Sequence, residues 1–454
     1  MAQGWGELLR GRNLASSAVV GGGMMMHAVN VFIVTTVLPS IVRDIGGLRY
    51  FAWSTTLYVV ASLLGGANCA SLMRRIGYRN GYRLALVTFS VGALICAFAP
   101  AMGVLLAGRF VQGLGAGTLS ALSFSMVRIL FPQNLWTRAF TVVSVAWGIA
   151  TLGGPAVGGI FAENDAWRAA FWSLAVLAFA MWLLVERSLP RDMAKPAGAA
   201  LPVAMLSLAI LAGSALCISA GSMATDPWLN LLGVVVAGIG LTIFARREAR
   251  EKVRVLPLGG CDPRTVLGGL YLAMVLLLIG VNSEIFVAFF LQRLHGMTPL
   301  HSGYISAMMA GGWSVLSLYF SGRSNPRALL RSGPLVMAGG LLLLAVVMPQ
   351  TELSNGIAVP LMILALSAMG GGMGMCWPHL GAAVFNAAPD GERDLASASI
   401  TSTIMIGNAF GSATGGLVTN FVGIANNTSQ AAFWLFFLFA LAPIAAVYAT
   451  RRLK

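Results

Sequence analysis

Charge in this chain is segregated from apolar sequence almost completely. Of its 44 charged residues, only Arg109 and Glu284 stand deep inside an apolar stretch; the others lie in the joins or at the stretch ends. Stretches of this kind are long enough to cross ~30 Å of hydrocarbon. In lipid every backbone N–H and C=O must be satisfied internally, so such a chain folds as a helical bundle or a closed barrel. The composition agrees: 57% hydrophobic and 10% charged, against roughly 25% charged for a soluble domain.

Apolar spans are predicted near 14–42, 50–73, 80–100, 103–128, 139–162, 168–185, 201–221, 228–245, 265–291, 299–320, 329–349, 356–387, 395–423 and 430–450. The pair 201–221 and 228–245 reads either as two spans or as one re-entrant hairpin. Fourteen is even, so both termini face one side. With the N-terminus cytoplasmic, 24 of the 29 Lys and Arg residues fall inside. Only Arg43, Arg49, Arg168 and Arg293 fall outside, and Arg109 lies in the membrane. That asymmetry is the positive-inside pattern. The net charge of +14 is spread over many short loops, which argues against nucleic acid as a partner. The first apolar run is too long for a signal-peptide core and reads as a retained span.

The spans form two blocks of six around a central pair: 1–186, a linker region 187–264 with two extra helices, and 265–454. The blocks share a pattern. Gly154-Pro155-Ala156-Val157-Gly158-Gly159 in the fifth span of the first answers to Gly411-Ser412-Ala413-Thr414-Gly415-Gly416 in the fifth of the second. The fourth spans carry Gly113-Leu114-Gly115-Ala116-Gly117 and Gly372-Met373-Gly374. Small residues at these spacings mark close helix–helix contact, and paired repeats around a central site are the architecture of secondary transporters.

Taken together, these features resemble the major facilitator superfamily, and within it the fourteen-span drug/proton antiporter-like branch. The implied fold is all-α: two six-helix bundles plus two central helices. Gly154 to Gly159, followed by Trp167, Arg168 and Phe171, is similar to the exporter signature called motif C, where Pro155 permits bending. Arg109-Phe110-Val111-Gln112-Gly113 resembles motif B, whose arginine is implied to couple protons or substrate; a structural arginine bonding backbone carbonyls is the alternative. Leu72-Met73-Arg74-Arg75-Ile76-Gly77-Tyr78-Arg79 resembles motif A, a tight gating turn built on Gly77 and Arg79. It departs from the pattern at Arg74, where the family has an acid, and at Ala70. Asn30, upstream of Val37-Leu38-Pro39, stands where the family has an aspartate, and an asparagine carries no proton.

Those departures leave Glu284 as the one carboxylate at membrane depth, beside Asn282. A charge there costs at least ~2.5 kcal/mol, which makes it a functional-site hypothesis by default. Trp147 and Trp377 are candidates for a cavity wall, and His379 is a second proton candidate. No P-loop, zinc-protease or nucleophile-elbow motif occurs, and the five cysteines show no metal or disulfide spacing. The expected protein is therefore no enzyme and needs no cofactor or metal. The expected partners are a small organic substrate, protons and the lipid bilayer of a bacterial cytoplasmic membrane, and a monomer is expected. Efflux of amphipathic molecules is the leading reading, with uptake of a riboflavin-like nutrient as its rival.

Overall fold

The computed structural model describes residues 10–132, 135–190, 204–224, 226–320, 326–389 and 392–452. Among them there are helices and no strands. In order they are α1 (Gly11–Ile45), α2 (Phe51–Ile76), α3 (Tyr78–Ala97), α4 (Met102–Leu130), α5 (Trp136–Glu163), α6 (Trp167–Ser188), α7 (Met205–Gly221) and α8 (Pro227–Arg250). Then follow α9 (Val266–Val281), α10 (Val287–His295), α11 (Pro299–Phe320), α12 (Pro326–Val347), α13 (Asn355–Ala387), α14 (Arg393–Val422) and α15 (Thr428–Ala449). The five residues Asn282–Phe286 join α9 to α10 as a 3-10 turn, so 266–295 is one span with a break.

Nine helices among the described residues are long and apolar enough to cross a membrane. Met205–Gly221, at 17 residues, is a shorter apolar helix. Expected spans outside the nine include α2, α11 and α14, where Ser, Thr, Gly and Asn dilute the apolar sequence.

The helices group into two compact units. One comprises 1–46 and 57–203; the other comprises 47–56 and 204–454, so α7 and α8 belong with the second. Within the first, α1 packs on α4, α5 and α6, and α3 packs on α4 and α6. Within the second, α9 packs on α13, α14 and α15, and α12 packs on α13 and α15. These are the same pairings with α9 to α15 in place of α1 to α6.

The glycines show how closely the two halves repeat. On α4, a Cβ at Gly113 would collide with the Tyr58 carbonyl oxygen and one at Gly117 with that of Ser62, while Gly115 faces Ala85 and Phe89 of α3. On α13, Gly370 meets the Met309 carbonyl, Gly374 that of Trp313, and Gly372 faces Gly333 and Met337 of α12. Residues 113, 115 and 117 thus answer to 370, 372 and 374, a fuller match than the Gly372–Gly374 pair expected above. The same displacement of 257 residues carries Gly154 and Gly158 onto Gly411 and Gly415. Positions i and i+4 lie on one helix face and i+2 on the other, so each glycine triplet clasps two neighbours at once.

Overpacking a well-packed contact costs about 1–3 kcal/mol. Gly113→Leu and Gly370→Leu should each lower the detergent-solubilised melting temperature by several degrees. Gly103→Ala, on α4 with open space at its Cβ, should leave it unchanged.

Candidate substrate and coupling site

Helical spacing builds the first cluster. His27 and Asn30 stand three apart on α1, and Arg109 and Gln112 three apart on α4, so each pair shares a face. All four are buried, with Tyr58 of α2 among them. Arg109 Nη1 donates to Gln112 Oε1 at 2.6 Å and to Asn30 Oδ1 at 3.1 Å. Its guanidinium carbon lies 4.1 Å from the centre of the Tyr58 ring, a cation–π arrangement. The Tyr58 hydroxyl is 2.9 Å from His27 Nδ1, and the two rings stack.

An arginine only donates, so it fixes both amides with their oxygens inward. The other ends are then set: Asn30 Nδ2 and Gln112 Nε2 are buried and have no acceptor among the described residues. Leaving a buried donor unsatisfied costs about 1–3 kcal/mol. The cluster therefore offers spare N–H donors and asks for an acceptor.

Unit two lacks this cluster at the corresponding places. The displacement of 257 puts Leu366 and Met369 of α13 where Arg109 and Gln112 stand; Gly154 on Phe32 and Gly411 on Asn282 align α9 with α1 at a displacement of 250, which puts Gly280 where Asn30 stands. Its polar group lies further along the chain, in the 3-10 turn. There Glu284 is half-buried and makes no hydrogen bond or ion pair with any described residue. Next to it, Asn282 Nδ2 donates to the Leu278 carbonyl at 2.8 Å and to Asn408 Oδ1 at 2.9 Å. A short 3-10 stretch inside a helix often marks a hinge or functional strain. Arg109 and Glu284 belong to different units.

Other expected residues serve other ends. Gly154 lies against the Phe32 Cβ, and a Cβ on Gly158 would stand 2.9 Å from the Ile33 carbonyl, so α5 lies flush on α1. Gly411 and Gly415 do the same for Asn282 and Phe286. Pro155 and Gly159 are buried within α5. Trp377 meets Trp313 edge-on at 6.0 Å, and His379 Nε2 is 3.0 Å from the Phe320 carbonyl, so neither bonds to Glu284. The Trp147 side chain lies outside the described residues.

The motif A turn is rebuilt around an acid that sequence reasoning passed over. Gly77 has φ +82°, a conformation open to glycine, and reverses the chain between α2 and α3. Arg79 then donates to Glu186 Oε2 at 2.6 Å and to its carbonyl at 2.8 Å. Arg83 grips the same carboxylate through both Nε and Nη2. Glu186 thus holds the start of α3 to the end of α6. At the opposite end of α6, Trp167 Nε1 and Arg168 both donate to Asp44 Oδ2, at 3.0 and 2.7 Å. His27 and Tyr58 were also missed; the visible signal was a lone histidine one helical turn before Asn30.

The comparisons with known proteins agree with this architecture. A family model described as Major Facilitator Superfamily matches residues 20–359. The probable multidrug-efflux transporter Rv1634 of Mycobacterium tuberculosis is 35% identical over 427 residues, covering 92% of this chain and 89% of the relative. The tetracenomycin C resistance and export protein of Streptomyces glaucescens is 26% identical over 380 residues, 80% of this chain and 68% of that one. Among solved structures, a D-xylose–proton symporter aligns with TM-score 0.69 at 16% identity, covering 98% of both chains.

Arg109→Lys removes the guanidinium plane over Tyr58 and withdraws the nitrogen, Nη1, that serves both amides. It should cost about 1–3 kcal/mol of stability, read by thermal unfolding. Glu186→Gln should speed backbone hydrogen exchange at the first turn of α3 and leave exchange at α9 unchanged.

Proposed function

This chain belongs to the Major Facilitator Superfamily as a multi-pass membrane transporter, and we propose that it exports amphipathic small molecules in exchange for protons. The observation that carries the direction is the 35% identity to a probable multidrug-efflux transporter over nearly the whole of both chains. The motif C sequence Gly154–Gly159 and the flush α5–α1 packing support the same reading. It includes fourteen spans in a bacterial cytoplasmic membrane, both termini cytoplasmic, two six-helix bundles with α7 and α8 as the added pair, and a monomer as the working unit.

The two polar centres divide the work. Asn30 and Gln112, held by Arg109, present N–H donors and suit a carbonyl or ether oxygen on the substrate. Glu284 carries the proton: it is a carboxylate at membrane depth with no fixed partner, on a broken segment of helix. Asn282 and Asn408 keep that segment seated on α14. Trp147 and Trp377 act as apolar wall, and Gly77 and Arg79 act in the gating turn.

Expression in a drug-sensitive bacterium should raise tolerance to amphipathic drugs, and everted vesicles should show substrate-driven proton movement. Glu284→Gln should abolish that movement while purified protein keeps its melting temperature. Unchanged coupling in the variant would remove Glu284 from the mechanism. Rescue of a vitamin auxotroph without any gain in drug tolerance would overturn export.

A further inference from the structure

Residues 47–56 belong with the second unit, although the rest of α2 belongs to the first. Gly46 and Gly47, at φ +72° and +83°, supply the reversal by which the chain leaves α1. The segment that follows is bonded to α7 and α14. Asn420 Nδ2 donates to the Arg49 carbonyl at 2.8 Å, and Trp53 Nε1 donates to the Ser219 carbonyl at 3.0 Å. Ser412 Oγ donates to the Ala52 carbonyl at 3.0 Å. A hydroxyl has a single proton to give, so Thr56 is the donor in its 2.8 Å bond to Ser412. Thr56, Ser219 and Ser412 are all buried. Ala52 leaves α14 no slack: a Cβ on Gly416 would stand 2.7 Å from its own.

The side chain that this segment delivers is Phe51. Its buried ring stacks on Phe286 and meets Phe289 edge-on, each at 5.3 Å between centroids. Phe286 is the last residue of the 3-10 turn that carries Glu284. Gly415 of α14 touches the same ring, since a Cβ there would stand 2.8 Å from it. Five residues is long for a 3-10 run, whose hydrogen bonds are poorer than those of an α-helix. No proline or glycine inside the turn imposes its form. Its two ends are gripped instead, Asn282 by Asn408 and the Leu278 carbonyl, and Phe286 by Phe51 and Gly415.

We propose that residues 49–56 are a clamp on the Glu284 turn. Phe51 is its positioning residue, and the indole, amide and hydroxyl bonds to α7 and α14 are its latch. α7, one of the added pair, thereby takes part in holding the proton centre. The positioning role rests on the reading of Glu284 as the proton carrier.

Hydrogen-exchange mass spectrometry of the full-length protein in detergent tests the clamp. Phe51→Ala should speed exchange at the amides of Ser283 to Val287 by about tenfold or more. Trp53→Phe keeps an aromatic ring and Thr56→Val keeps its shape. Each removes a latch bond, and neither bond involves the turn. Combined, they should speed the same amides about three- to tenfold and leave α12 unchanged, which keeps the test decisive if Phe51→Ala fails to fold. Ser306→Ala, which removes a buried hydroxyl bond within α11, should leave the turn as in the wild type. In everted vesicles the clamp variants should move fewer protons per molecule of a drug that the wild type exports. Phe51→Leu, which restores apolar bulk, should recover part of that ratio. Unchanged exchange at the turn in both Phe51→Ala and the double variant would overturn the clamp. Raised exchange with an unchanged proton ratio, where Glu284→Gln abolishes coupling, would overturn Phe51 as a positioning residue. Unchanged coupling in Glu284→Gln overturns the carrier reading instead, and the exchange result still decides the clamp.

Discussion

Close approach of backbone to backbone is the interaction on which this structure depends. Lipid gives helices no hydrophobic incentive to associate, so packing distance decides how tightly they hold. At Gly113, Gly117, Gly370 and Gly374 a neighbouring carbonyl oxygen occupies the place a Cβ would take. Each of these helices is thereby fixed in rotation as well as position. Arg109 faces Asn30 because the glycines one turn away leave α4 no freedom to roll.

The two halves share this clasp but not the chemistry inside it. One displacement of 257 residues relates the glycines of α4 and α5 to those of α13 and α14. The residues that the clasp aims differ: Arg109 and Gln112 in one unit, Leu366 and Met369 in the other. In the proposed reading, a repeated scaffold with divergent contents separates two tasks, donor recognition in one half and a lone carboxylate in the other. The scaffold constrains where a polar group can stand and leaves open which one stands there.

Helical class and the paired repeat were legible in the sequence, because they rest on apolar length and on glycine spacing; Arg109, Gln112 and Asn30 were singled out by the motif resemblance, which did not bring them together. His27 and Tyr58 were not legible as members of the same cluster, since Tyr58 reaches it from a helix that no periodicity links to α1 or α4. Glu186 served only to mark the end of the first block; only the fold brings Arg79 and Arg83 to it across more than a hundred residues. Trp377 and His379 were suggested by residue type alone, which says nothing of their neighbours; packing sets Trp377 against Trp313 and His379 beside the Phe320 carbonyl. The break at Asn282–Phe286 has no proline or glycine to announce it.

That break has a geometric consequence. A 3-10 turn advances about 120° and 2.0 Å per residue, against about 100° and 1.5 Å in an α-helix. Five such residues wind α10 roughly 100° further around its axis than a straight continuation of α9 and push it outward by about 2.5 Å. The turn therefore sets the rotational phase of α10 relative to α9. If the turn relaxes to α-helical winding, the aromatic face of α10, Phe289 and Phe290, rotates by about a quarter of a circle, with Glu284 on the axle.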